Sequence, residues 1–484
     1  MSIKHVLLFI IATYMTGCAT NPASKEKDFV LMSEKAELAL GLKLAAQYNQ
    51  QLPLLDEKDP LAVFVNEVGQ RIATVADRPE LFYHFRVVDD ATINAFALPG
   101  GHIYIHRGLL NHLNSEAELA AVLAHEVGHV TARHAVQRYT QIQGYQLGMF
   151  VTSVFVPIRP GTSNLTNLLA ASFISGYGRD QELQADELAL KYIPKAGYDP
   201  QAVEQLLATL QRLEEIDKKE KKDAGDKVVE YHGAFASHPE TQKRISKTHQ
   251  QAKALGKGNG LINHQRMLSA LDGYPYGDNP EQGAVVGQRF LHPDLNLQLK
   301  FPERWVIKNT PKSVTARIRQ KKVYFELSIK SLSKRRTAAK LLESIFPKRH
   351  IENLTSGKVL GYPSAHARIK ASAPHVSKAY IDATVWLKGS QAFLLFMWAP
   401  RGDIAQYEPD FKSIRHSLKF YDEKESGGIP RIALHIWKKG DSWSALARQS
   451  HQILGHFTAD RIAALNGMEL TQTPKIGYII KTVK

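Results

Sequence analysis

The chain has 484 residues, 44% of them hydrophobic and 23% charged, which is enough apolar material for real cores and too long for one ordinary domain. Its formal charge of +15 is uneven: residues 285–420 hold 25 Lys and Arg against 9 Asp and Glu, so the rest is nearly neutral. One cysteine excludes an internal disulfide framework, and no apolar run reaches the roughly 18–20 residues that span a bilayer.

The first residues, Met1-Ser-Ile-Lys-His5, are short and basic, and Val6 to Met15 is apolar but too short to span. Met15-Thr-Gly-Cys18 follows, so residues 1–17 read as a bacterial secretion signal. These last four residues resemble a lipobox, which implies that Cys18 becomes the lipidated first residue of the mature chain. Ala19 rather than Asp after it implies the periplasmic face of the outer membrane. Residues 18–32 then read as a tether.

Helical patterns follow at 33–50 and 60–77. Phe82 to Val88 alternates as a strand, and Ala95–Leu98 and His102–Ile105 read as strands around the turn Pro99-Gly100-Gly101. A long helix is expected from Ser115, with Glu118 completing a capping box, to about Tyr139. It carries the stretch AVLAHEVGHV. Another helix is expected from Arg179 to Lys195, closed by Gly197. The segment Gln141 to Tyr177 between them has apolar patches and fits a lid, an interfacial helix or core equally.

His125 and His129 are four residues apart and share one helix face, so two imidazoles can bind one zinc ion. Glu126 beside them is placed to take a proton from a zinc-bound water. A catalytic zinc needs a third protein ligand, and Glu182-Leu-Gln-Ala-Asp186 puts two more acids on one helix face. Glu182 is the expected ligand, and Asp186 the expected partner of a ligand histidine's second nitrogen. Gly128 weakens its helix by about 1 kcal/mol relative to alanine; a close approach of the Glu182 helix or of a substrate strand would account for it. His134 and His232 are read as non-ligands.

HEVGH followed by ELQADELA resembles the gluzincin metallopeptidases of the HtpX and CAAX prenyl protease type, in their soluble exported bacterial branch. Asn94-Ala-Phe-Ala-Leu-Pro-Gly-Gly101 and Ser237-His-Pro239 match that family's pattern in order, over roughly residues 30–250. The resemblance implies a mainly helical α+β zincin-type domain at 33–255 with one Zn2+ per chain. It implies that Asn94, Ala95, Phe96, Ala97, Gly101 and His102 line an edge where an extended peptide adds as a strand. It leaves His238 two roles, stabilising the oxyanion or filling the fourth zinc position.

Residues 256–284 and 422–430 read as linkers. Between them, 285–421 is strand-rich and basic, an α+β sandwich-like domain resembling the PsbP/Mog type, suited to an anionic surface. Residues 431–484 resemble a βααβ LysM module, which implies peptidoglycan as a partner. The expected function is a zinc metalloendopeptidase acting on unfolded or misassembled envelope proteins, without nucleic acid. The competing readings are a chaperone or assembly factor with a plugged zinc site, and a peptidoglycan amidase.

Overall fold

The structure, a computed structural model, describes residues 18–146, 176–223, 242–454 and 457–484, apart from positions 24, 26, 31, 257, 311 and 335. The expected signal segment 1–17 lies outside the described residues. So do His232, His238 and most of the segment between Gln141 and Tyr177.

The first of two units takes in residues up to Tyr274 together with Ile432–Ala447 and Thr458–Thr482. Strands β1 (Cys18–Thr20) and β2 (Lys27–Phe29) form a short antiparallel pair. Helix α1 (Glu34–Gln51) is capped by the Ser33 side chain, and α2 (Pro60–Ala73) starts with Asp59 as cap and Pro60 at its first position. A three-stranded sheet follows, of β3 (His84–Val88), β4 (Ala95–Leu98) and β5 (His102–His106), in the order β3-β5-β4. β3 runs parallel to β5 and β4 antiparallel to it, so β4 is an edge strand. Gly100 and Gly101, at φ +77° and +94°, make the turn between β4 and β5, a backbone that side-chain-bearing residues rarely adopt.

After a turn of helix, α3 (Arg107–Leu110), comes α4 (Glu116–Thr131). Every residue of α4 except His125 is buried, which explains a sequence that is apolar all round. Ser115 Oγ accepts from Glu118 N at 3.1 Å, but the Glu118 carboxylate takes Asn114 N at 2.9 Å, so only half of the expected capping box forms. The helix also ends earlier than its pattern predicts. Arg133 adopts φ +56°, and α5 (His134–Gln146) starts on a new axis. Buried Glu37 of α1 holds that break, accepting from Arg133 Nε at 2.8 Å and from Arg78 at 2.9 Å.

Helix α6 (Arg179–Lys195) has the bounds the sequence predicts, with Gly197 at φ +83° beyond it. α7 (Gln201–Asp223) and α8 (Gln242–Ala254) follow. The segment read as a linker holds α9 (His264–Leu271), with Met267, Leu268 and Leu271 buried, and the boundary between units falls at Pro275. Gly- and Asn-rich flanks concealed three apolar residues at helical spacing.

The second unit, mainly Pro275–Arg431, starts with a three-stranded sheet of β6 (Ala284–Val286), β7 (Arg289–His292) and β8 (Leu297–Lys300). The strands β9 (Trp305–Thr310), β10 (Ser313–Ile318) and β11 (Tyr324–Ser331) come next. Helix α10 (Ala338–Ile345) precedes β12 (Ile351–Val359), β13 (Tyr362–Ala373), β14 (Val376–Lys388) and β15 (Gln391–Pro400), and α11 (Ile404–Ser417) closes the unit. The last seven strands make one antiparallel sheet ordered β12-β13-β14-β15-β11-β10-β9. α11 packs its Ile404, Tyr407 and Phe411 with Phe325, Phe393 and Leu395 in one core. Leu341 and Leu342 of α10 pack with Ala365, Ala367 and Ala383 in another. Alternate residues of β15 thus fill different cores, Phe393 and Leu395 one and Ala392 and Leu394 the other, the expected period of two.

The C-terminal elements are a helical turn α12 (Glu423–Ser426), β16 (Ile432–Ile436), α13 (Trp443–Leu454), α14 (Ala459–Leu465) and β17 (Ile479–Val483). Their order is the strand–helix–helix–strand read from sequence, but most of this segment groups with the first unit rather than standing alone. Lys481 is one of the ties: fully buried, its ammonium donates to Asn111 O and Leu113 O, both at 2.7 Å, just ahead of α4, and Arg461 of α14 reaches Asp217 of α7 at 2.7 Å.

Candidate metal centre

One turn of α4 separates His125 from His129, and their Nε2 atoms lie 3.1 Å apart. Glu182 of α6 faces both, with Oε2 at 3.4 Å from His125 Nε2 and Oε1 at 3.6 Å from His129 Nε2. Two ligand atoms about 2.0–2.1 Å from one zinc ion at the tetrahedral angle are about 3.3 Å apart. The observed separations are of that size, with one Glu182 oxygen facing each imidazole, so the three side chains can share one ion. Among the described residues these three side chains form the one group able to hold a metal ion.

What brings the two helices together is Gly128. A Cβ at that position would sit 3.2 Å from Ala185 O, 3.3 Å from Ala185 Cα and 3.3 Å from Leu188 Cβ, so α4 and α6 touch backbone to backbone. Ala185 lies between Glu182 and Asp186, and the contact sets the depth of both acids.

Around the three donors the partners differ. Asp186 Oδ1 is 3.0 Å from His125 Nδ1. Arg244 of α8 grips Asp186 through Nε and Nη2, both at 2.8 Å, and reaches Glu182 Oε2 at 3.1 Å. His129 Nδ1 lies 2.7 Å from His134 Nδ1, and His134 Nε2 lies 2.8 Å from Gln184 Oε1. Tyr177 stacks on the His129 ring with centroids 4.1 Å apart. Burial pushes its phenol well up, and the charge of the Glu126 carboxylate adds to that. Glu126 itself is buried on α4.

The charges suit a divalent cation. Glu126, Glu182 and Asp186 against Arg244 leave a formal −2 with neutral imidazoles. Burial pushes the His125 imidazole down, but hydrogen bonds to Asp186 and Glu182 outweigh this and raise it to about 10. The same burial acts the other way on Asp186, whose carboxyl is nevertheless held low by Arg244 and His125.

The residues expected to bind substrate are divided. Ala97, Leu98 and Pro99 line a narrow void together with His129, Val130 and Tyr177. Phe96 turns the other way, into a core with Tyr48 and Tyr104 at 5.5 and 4.9 Å between ring centroids. Asn94 is buried, and its carbonyl accepts from His106 N at 2.9 Å. Gly101 holds the turn, and His102 stacks on His84 at 4.9 Å in a groove of about 490 Å³ formed with α1 and α2, apart from the void at His129. The backbone of Cys18 is described, at the start of β1.

Sequence reasoning missed Arg244, Gln184 and the contact of His134 with His129. Arg244 lies among the basic and polar residues of α8, where nothing in composition marks one arginine as buried. On one unbroken helix His134 would stand about 140° round from His129. The break at Arg133 brings it back.

Comparison with known proteins now adds to this geometry. Residues 63–252 match the model of peptidase family M48. The chain is 31% identical over 189 residues to a beta-barrel assembly-enhancing protease of Yersinia pestis, covering 37% of this chain and 38% of that protein. It is 31% identical over 195 residues to a mitochondrial metalloendopeptidase OMA1 of Schizosaccharomyces pombe, covering 40% of this chain and 54% of that one. The chain thus spans between two fifths and about half of the length of these relatives. A solution structure of cyanobacterial PsbP from Synechocystis covers 28% of this chain at 10% identity with a TM-score of 0.23, too low to assign any part of it. The similarity to peptidase family M48 belongs to residues 63–252, and His125, His129 and Glu182 all lie inside that stretch.

Proposed function

We propose that this chain is a zinc-dependent endopeptidase that hydrolyses peptide bonds in unfolded or misassembled cell-envelope proteins. The observation that carries the reading is that His125 Nε2 and His129 Nε2 lie 3.1 Å apart with a Glu182 oxygen 3.4 and 3.6 Å from them, the spacing of donors that share one zinc ion. Zinc, when bound there, supplies a Lewis acid that polarises a carbonyl and lowers the pKa of a water.

The chain's own residues do the rest. His125, His129 and Glu182 hold the ion. Asp186 accepts His125 Nδ1–H, which leaves Nε2 with its lone pair toward the centre, and Arg244 keeps Asp186 in place. Glu126 takes the proton of the attacking water and passes it to the leaving amine. The outer edge of β4 orients an extended peptide by main-chain pairing, which favours unfolded substrates. Ala97 and Leu98, beside His129, set the scissile bond near the centre. His238 either stabilises the oxyanion or closes the fourth position at rest.

The site of action proposed is the periplasmic face of the outer membrane, with Cys18 lipidated and the C-terminal segment binding peptidoglycan. The names of the bacterial relatives, beta-barrel assembly-enhancing proteases, support envelope proteins as substrates. No described helix is long and apolar enough to cross a membrane.

The test is zinc content together with cleavage of an unfolded protein such as reduced casein, for the full chain and its Glu126→Gln variant. Cleavage lost in the variant with zinc retained is the expected result. Equal cleavage by both proteins refutes Glu126 as base, and digestion of purified peptidoglycan by the wild type would move the assignment to an amidase.

A further inference from the structure

The two imidazoles of the centre are backed by different chemistry. His125 Nδ1 meets a carboxylate, Asp186, at 3.0 Å, the usual partner of a ligating histidine. His129 Nδ1 meets another imidazole nitrogen, His134 Nδ1, at 2.7 Å. Two imidazole nitrogens at that distance share one hydrogen, so one of them donates and the other accepts.

The far side of His134 fixes the order. Its Nε2 lies 2.8 Å from Gln184 Oε1, a carbonyl oxygen that only accepts, so Nε2 carries hydrogen and Nδ1 carries the lone pair. His129 Nδ1 must then donate, and His129 Nε2 keeps its lone pair toward Glu182 and His125. The reverse order would put hydrogen on His129 Nε2, and no metal could use that atom.

The surroundings hold the relay still. His134 is fully buried, at the first position of α5 after the Arg133 break. One turn further on, Gln137 of α5 accepts from Gln181 of α6 at 2.7 Å. His134–Gln184 and Gln137–Gln181 are thus two successive rungs between α5 and α6. Tyr177 packs on His129 and lies against His134, with ring centroids 5.7 Å apart.

We infer that His134, oriented by Gln184, is a positioning residue of the metal centre: it accepts His129 Nδ1–H, sets the tautomer and thereby makes His129 a ligand. This rests on the metal-site reading above. His134 touches neither the ion nor the substrate. Its imidazole replaces the carboxylate found behind His125, so the site gains orientation at His129 without a further buried negative charge.

Two variants separate acceptance from packing. His134→Phe keeps a flat ring but accepts nothing; His134→Asn places Oδ1 where Nδ1 stood, the same number of bonds from the backbone. With the full chain, zinc affinity measured by chelator competition should fall about 10–100-fold in His134→Phe. It should stay within a few-fold of wild type in His134→Asn. Nitrogen NMR of the metal-free wild type should show His129 as the Nδ1–H tautomer and His134 as the Nε2–H tautomer. Unchanged affinity in His134→Phe, equal losses in both variants, or hydrogen on Nε2 of a neutral His129 would each overturn the inference. Failure of the wild type to bind zinc would overturn the metal-site reading, and this inference with it, whatever the variants do.

Discussion

Replacing Gly128 tests whether the contact of α4 with α6 sets the metal centre. Alanine gains about 1 kcal/mol of helix propensity over glycine. Its Cβ, however, meets Ala185 O and Cα at 3.2 and 3.3 Å, and these are backbone atoms that cannot swing aside. Overpacking of this kind costs about 1–3 kcal/mol. The two terms oppose each other, so Gly128→Ala should be between neutral and about 2 kcal/mol less stable. Leucine adds three more carbons against the same wall, and α6 must retreat. Glu182 is one turn from Ala185 and goes with it, opening gaps that are now 3.4 and 3.6 Å. A displacement on the order of 1 Å at a positioned group costs about 100-fold in rate. The assay pairs thermal unfolding of the metal-free chain with zinc affinity and casein cleavage, and Gly128→Leu should lose at least about tenfold in affinity. If Gly128→Leu matches wild type in both affinity and turnover, the close approach does not set the site.

Three further outcomes follow from buried charges. Arg244→Leu leaves Glu182 and Asp186 buried with only the His125 imidazolium beside them, and metal-free stability should fall by up to about 3–5 kcal/mol in a denaturant titration. Zinc should restore part of that loss by mass action. For His125 the sign is set by a folded-state value of about 10 against an ordinary 6.5. Its contribution to metal-free stability is present below pH 6.5 and is lost as pH rises through about 10. Zinc must displace the same proton, so calorimetry at pH 7.5 in buffers of different ionisation enthalpy should count about one proton released per zinc, and affinity should rise with pH. Lys481→Met strips two buried carbonyls of their donor and the buried Glu118 of the positive charge that acts on it; it should cost about 3–5 kcal/mol, and Glu118→Gln in the same chain should recover part of it in a double-mutant cycle.

Much of the centre could be read without coordinates because it is local. A helix repeats every 3.6 residues, so His125 and His129 had to share a face, as did Glu182 and Asp186. The bounds of α6 were legible because Gly197 follows a run of good helix formers. The end of α4 was not, because its apolar pattern continues past Thr131 while a distant acid, Glu37, pins Arg133 into a left-handed turn. Arg244 and Gln184 escaped notice for the same reason: their partners are 58 and 50 residues away in sequence. The C-terminal strand–helix–helix–strand segment was legible as elements but not as part of the first unit, because its ties, Lys481 to Asn111 and Leu113 and Arg461 to Asp217, reach residues hundreds of positions away.

Spacing along the chain therefore determined which side chains could share a metal ion, since periodicity needs no partner. Tertiary structure decided which nitrogen of each histidine faces that ion, since this depends on what packs behind each ring. Asp186 stands behind one and His134 behind the other, and each came into place only when its helix met another.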